Sequence, residues 1–143
     1  MSDRLILLPM LAMVLLTGFV LVAMFRQRAA EMRERKIHPQ AVAVAAQMMS
    51  QLTRTGAADN FRNLFETPVL FYAAVLTIHA AHLASAPYIV LAWLYVVSRV
   101  VHTYIHTTYN RVTHRALAFG ASFTVLSIVW SLIAWDIVIG GRG

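Results

Sequence analysis

Apolar residues run almost without interruption from Leu5 to Phe25, and the pattern changes abruptly at Arg26-Gln27-Arg28. At 1.5 Å per residue such a run covers a hydrocarbon core of roughly 30 Å, so it predicts a membrane-spanning helix. Three more apolar runs follow, at about 67–84, 87–108 and 116–139. Ser85-Ala86-Pro87 separates the second from the third so briefly that these helices should be antiparallel neighbours. The pattern therefore predicts an all-α integral membrane domain, a bundle of four transmembrane helices covering residues 1–143.

The polar stretches fall between these runs, with connections at about 26–58 and 109–115. Residues 26–36, RQRAAEMRERK, carry five bases and two acids just past the first helix. Ile37-His38-Pro39 then breaks the chain, because the residue before proline is biased away from helix. Gln40 to Leu52 is too short and too weakly apolar to span, and is expected as an interfacial or loosely helical connection. The second helix is expected to start near Ala57 with a polar turn, ADNFRNLFE, and to kink at Pro68. On one continuous helix Arg62, Asn63 and Glu66 share a face.

Composition agrees with the pattern. The chain is 59% hydrophobic and only 13% charged, with a mean hydropathy of +0.66, too apolar for an ordinary soluble domain. Its net charge of +6 comes from eleven arginines and one lysine against six acids. The bases cluster between apolar runs, which fits loops beside anionic lipid rather than a nucleic-acid partner. By the positive-inside rule both basic connections are expected to be cytoplasmic and both termini outside, as in a multi-pass membrane protein. The first apolar run is too long for a signal peptide core and FRQR stands where cleavage would fall, so the first helix is expected to remain. There is no cysteine, so any thiol chemistry must use a thiol from a ligand.

One polar stripe interrupts the third run. Tyr95, Arg99, His102, His106 and Tyr109 follow helical spacings of four, three, four and three, and such a stripe must face protein or water. Glu66 is the obvious counter-ion for Arg99 or Arg62, with Asn63 adding hydrogen bonds. An ion pair stapling helices two and three accounts for one arginine only. Arg26, Arg28, Arg62, Arg99, Arg111 and Arg115 crowd the same membrane edge with Asp59 and Glu66 as nearby acids, a surplus that favours an anionic small molecule. A metal is disfavoured, since His102 and His106 lack an HExxH glutamate and the adjoining arginines repel cations. His79 and His82, at the far end of helix two, read as interfacial histidines.

The order of RNxxE (Arg62, Asn63, Glu66), Pro68, RVVHT (Arg99 to Thr103) and then Arg111 and Arg115, after a helix ending FRQR, resembles the MAPEG superfamily, membrane-associated proteins in eicosanoid and glutathione metabolism. The resemblance covers nearly the whole chain, and it is closest in type to short bacterial members. It implies a homotrimer binding glutathione as co-substrate between subunits, with a hydrophobic small molecule as second substrate. Arg26 then contacts the tripeptide from the neighbouring subunit, and Arg62, Asn63 and Glu66 form the binding box. Arg99, His102, His106 and Arg111 line or support it. Arg115 corresponds to the arginine that stabilises the thiolate in prostaglandin E synthase. The chain departs from glutathione-using relatives at Asp59, His106 and Ala116. The resemblance implies a glutathione transferase or peroxidase acting on hydrophobic electrophiles or lipid peroxides. The alternative is a non-catalytic protein of the same fold, whose polar network is structural or holds another anion.

Overall fold

The computed structural model describes residues 3–140, so the exterior tail expected at the C-terminus, with Arg142, lies outside the described residues. The described chain is helical, in six α-helices: α1 (Leu7–Glu34), α2 (Ala45–Gln51), α3 (Gly56–Asn63), α4 (Thr67–Ala80), α5 (Ala86–Thr107) and α6 (Val112–Gly140). Short 3₁₀ turns at Asp3–Ile6 and Pro39–Val42 precede α1 and α2.

Helix α1 does not stop where its apolar run stops. Arginine, glutamate, alanine and methionine are good helix formers, and they carry it nine residues beyond Phe25. It closes where Lys36 turns left-handed (φ 53°), the Lys36 N–H donating to the Arg33 carbonyl (3.4 Å) and the Ile37 N–H to the Met32 carbonyl (2.9 Å). Residues 40–52, expected as an interfacial or loosely helical connection, form the 3₁₀ turn and the short helix α2.

The extension of α1 serves as a post for the connection that follows. Glu31 is buried, and its carboxylate accepts from the Thr53 N–H (2.8 Å), the Thr53 hydroxyl (2.8 Å), the Arg54 N–H (3.0 Å) and the Arg35 guanidinium (3.0 Å). Thr53 and Arg54 are exposed, so what goes with the carboxylate is the net worth of the bonds to it, about 1.5–3 kcal/mol for a hydrogen bond to a charged group. Glu31→Ala is therefore expected to detach the connection locally. Limited proteolysis should then cut between Leu52 and Gly56 faster than in the parent, and equal cutting rates would refute the anchoring role.

The second helix differs from expectation. Instead of one helix kinked at Pro68, the chain makes α3, a turn at Leu64–Glu66 and a fresh start at Thr67. Pro68 sits in the first turn of α4, where a missing N–H leaves no bond unmade. Helix α4 ends at Ala80 rather than at residue 84, because His82 adopts φ 55° and the Leu83 N–H donates to the Ile78 carbonyl (2.9 Å). At 14 residues it rises about 21 Å, short of a full crossing on its own. Among the described residues, three helices are long and apolar enough to cross a membrane: residues 3–34, α5 and α6.

These helices bury a core of Ile6, Met13, Val20, Phe71, Val75, Ile78, Tyr95, Val96, Leu126, Val129 and Ile133. Helix α5 packs along α6, and α1 packs against α3, α4 and α5. Outward, α1 presents Leu15 and Phe19 and α6 presents Leu117, each about two-thirds exposed or more. An apolar surface of that kind is stable against lipid and not against water. At the end away from the arginines, Asp3 ties the N-terminal turn to α4, accepting from His82 (3.0 Å), while the His79 ring meets the Asp3 carbonyl (3.2 Å). Nearby, the Tyr88 hydroxyl donates to Asp136 at 2.6 Å, fixing the start of α5 against the end of α6.

Candidate functional site

The polar stripe on α5 turns inward, as its spacing predicts. Tyr95, Arg99, His102 and His106 are all buried, and only Tyr109, beyond the helix end, is half exposed. Helix α3 lies antiparallel against this stripe, close enough that a Cβ on Gly56 would sit 3.1 Å from the His106 carbonyl. Glycine at that position is what allows the approach. Seven residues along α3, Asn63 reaches Arg99.

Arg99 is completely buried, and no carboxylate of the described residues lies within 4.0 Å of it. Its Nη2 donates to the Asn63 carbonyl (3.4 Å) and side-chain Oδ1 (3.3 Å), and its Cζ lies 5.9 Å from the Phe119 ring centroid, a cation–π arrangement. Nε and Nη1 have no partner among the described residues. The expected pairing of Glu66 with Arg99 or Arg62 is thus replaced by an amide contact. The reason is the break after α3: Asn63 is its last residue, and Glu66 leaves the helix with non-helical backbone angles (φ −94°, ψ −99°). Arg62 instead approaches Asp59 at 3.7 Å, both largely exposed.

Arg115 sits in the first turn of α6 and is held by neutral groups. Its Nη1 donates to His106 Nε2 (3.1 Å) and to Asn110 Oδ1 (2.8 Å). Its carbonyl meets His102 Nδ1 at 3.2 Å. A guanidinium only donates and a carbonyl only accepts, so these contacts fix both rings. His106 carries its proton on Nδ1, a buried donor without a partner. His102 donates from Nδ1 and keeps a free lone pair on Nε2, also buried and unpaired.

Two clefts open beside this network. One, of about 250 Å³, is lined by Asp59, Arg62, Asn63, Glu66, His106 and Arg115. The other, of about 260 Å³, shares Asn63, Glu66 and Arg115 and adds His102, Val112, Ala116 and Phe119. Of the residues singled out in the sequence, Arg62, Asn63, Glu66, His102, His106 and Arg115 meet at these clefts, and Arg99 stands behind them. Arg26 and Arg111 are exposed and line neither cleft of the single chain. Sequence reasoning missed Asn60, wholly buried on α3 with both amide atoms unpaired, and Asn110. Asn110 had one readable sign: asparagine tolerates the left-handed backbone (φ 45°) that turns α5 into α6.

The site therefore sets the donors of Arg62, Asn63 and Arg115 beside the carboxylates of Asp59 and Glu66, neither of which comes within 4.0 Å of Arg115. Comparison with curated proteins and with solved structures returned no match. The profile of the MAPEG family, however, matches residues 6–135, nearly the whole chain and every element that builds the two clefts. This membrane protein belongs to the MAPEG family.

Proposed function

We propose that the chain binds glutathione in the paired clefts and activates its thiol toward hydrophobic electrophiles or lipid peroxides. In this reading it works as a homotrimer, with α4 and the 64–66 turn completing a fourth crossing. Arg26 and Arg111, which line neither cleft of one chain, reach the ligand across a subunit boundary. The observation that carries the reading is Arg115: it faces both clefts, and no carboxylate of the described residues comes within 4.0 Å of it. Its charge is thus available to a ligand.

The donor set fits an anionic tripeptide. Arg62, Asn63 and Arg115 supply donors for carboxylates and peptide carbonyls, Glu66 accepts from an ammonium group, and the Arg99 guanidinium adds positive potential behind them. Bound there, glutathione supplies a thiol with an ordinary pKa of about 8.5. Arg115 favours the sulfur anion over the thiol by direct charge, and the N-terminus of α6 adds its dipole. His102 lines the second cleft, and the thiol proton leaves to solvent through its open side. His106 and Asn110 keep the guanidinium aimed. Phe119, Val112 and Ala116 give the second cleft an apolar wall for the electrophile.

Thermal unfolding of the purified protein with glutathione tests binding, and turnover of an aryl halide tests chemistry. A ligand at 100 times its Kd adds about 2.7 kcal/mol of stability. Arg115→Ala should keep most of that shift and lose about 10²-fold or more in rate, the scale of removing one preorganised charge-stabilising donor. An unchanged rate would take Arg115 out of the chemistry. No thermal shift in the parent would leave the network as a structural tie between α3 and α5.

A further inference from the structure

Past Asp59 and Arg62, which it shares with the first cleft, lies a second pair of cavities, both lined by Arg28 and Arg62. The larger, about 370 Å³, is lined by Met24, Arg28, Ala58, Phe61, Arg62 and Phe65. The smaller, about 210 Å³, shares Arg28, Ala58 and Arg62 and adds Arg54, Thr55 and Asp59 together with Met48, Met49 and Leu52 from α2 and its end. The layering follows from the sequence. Met24 is on the last apolar turn of α1, and Arg28 is one turn further on, where the apolar run has ended. Phe61 and Phe65 lie one turn apart near the end of α3 and pack edge to face at 5.0 Å. Phe65 is 58% exposed, as is Phe25 beside Met24. An aromatic and thioether wall thus opens toward the lipid, capped by a layer of arginine.

The charges around this layer do not cancel. Arg54 is taken up by Glu34 at 2.7 Å. Arg62 has only the loose, exposed contact with Asp59 at 3.7 Å, and Arg28 has no carboxylate within 4.0 Å among the described residues. Two guanidinium groups facing one carboxylate leave a positive site at the depth where a lipid headgroup sits. Guanidinium forks match phosphate oxygens, and acyl chains match Phe61, Phe65 and Met24.

We propose that Arg28 and Arg62 form a binding site for the phosphate of an anionic phospholipid, with its acyl chains along Met24, Phe61 and Phe65. The smaller cavity takes the rest of the headgroup. There Asp59 accepts from headgroup hydroxyls and disfavours a second phosphate, so a singly charged glycerol-type headgroup fits best. The site does not include Arg115, but it shares Asp59 and Arg62 with the first cleft. Because Arg62 also lines a cleft of the candidate site, Arg28 is the residue to vary.

The full-length protein, purified in a neutral detergent, is titrated with phosphatidylglycerol or phosphatidylcholine and examined by native mass spectrometry. Phosphatidylglycerol should be retained in preference to phosphatidylcholine. Arg28→Gln should weaken its retention about tenfold, the scale of one charge-assisted hydrogen bond. Arg33→Gln, an exposed charge on the same helix that lines neither cavity, should change it less than about twofold by the same measure. A thermal melt of Arg28→Gln matching the parent's shows that the fold is kept, and Arg28→Lys, which keeps charge but not the fork, should fall between. Equal retention of the two lipids would overturn the proposal. So would equal losses in the Arg28 and Arg33 variants, which indicate surface charge alone. Displacement of phosphatidylglycerol by inorganic phosphate at matching concentration would make free phosphate the ligand and overturn the lipid assignment.

Discussion

Arg99→Met is expected to fold, to melt at the same temperature as the parent or a few degrees above it, and to lose the thermal shift expected from glutathione in the proposed clefts. The residue is wholly buried, its two hydrogen bonds to Asn63 are long, and two of its donor atoms have no partner. Desolvating a guanidinium is costly, and replacing buried charged groups by apolar residues of similar volume is often neutral or stabilising by about 1–4 kcal/mol. Methionine nearly matches the arginine in volume and can lie against Phe119 in its place. What it cannot do is project positive potential into the clefts. A ligand shift of about 2.7 kcal/mol at 100 times Kd should therefore shrink toward zero while the free protein gains. Thermal unfolding with and without millimolar glutathione reads both effects at once. A large fall in the free protein's midpoint would instead make Arg99 chiefly a tie between α3 and α5.

The same residue shows where sequence reasoning works and where it ends. A single arginine in an apolar run announces its own burial, since lipid offers it nothing, and the three-four spacing of His102 and His106 places them on its face. Its partner was legible only in part: Asn63 was expected to add hydrogen bonds and does, but the counter-ion was misplaced. Charge logic selects Glu66, whereas the backbone selects Asn63, because the chain leaves the helix after Asn63 and carries Glu66 away. The spacing that put Arg62 and Glu66 on one face assumed a helix running through Pro68, and proline at the start of a new helix looks the same in sequence as proline at a kink. Glu31 was hidden differently: one carboxylate among five bases reads as solvated, and only the return of Thr53 and Arg54 buries it. The contact of Arg115 with His106 spans a turn, and it depends on the left-handed Asn110 rather than on any helical period.

Phe71→Ala should be the most damaging single change in the membrane core. Phe71 and Tyr95 are both buried and stack at 4.3 Å between ring centroids, inclined by only 11°. Tyr95 lies one turn before Arg99, and its hydroxyl reaches the Thr67 hydroxyl at 3.4 Å, at the first residue of α4. The stacked pair thus sets how α4 leans on α5, and with it the 64–66 turn that delivers Asn63. Truncating a buried phenylalanine costs about 3–5 kcal/mol in proteins generally, out of a total stability of about 5–15 kcal/mol. Lipid tails are as apolar as the core, so helix association here rests on close packing more than on expulsion of water. The loss should then fall toward the lower end, about 3 kcal/mol, and come mainly from forfeited contacts. Phe71→Leu, which fills most of the space, should lose less than half as much. Denaturant titration in detergent micelles measures both variants. The displaced turn should also weaken the glutathione shift, although Phe71 lines neither cleft. A loss below about 1 kcal/mol, within the range of an ordinary surface substitution, would mean that α4 takes its position from the 64–66 turn and not from this stack.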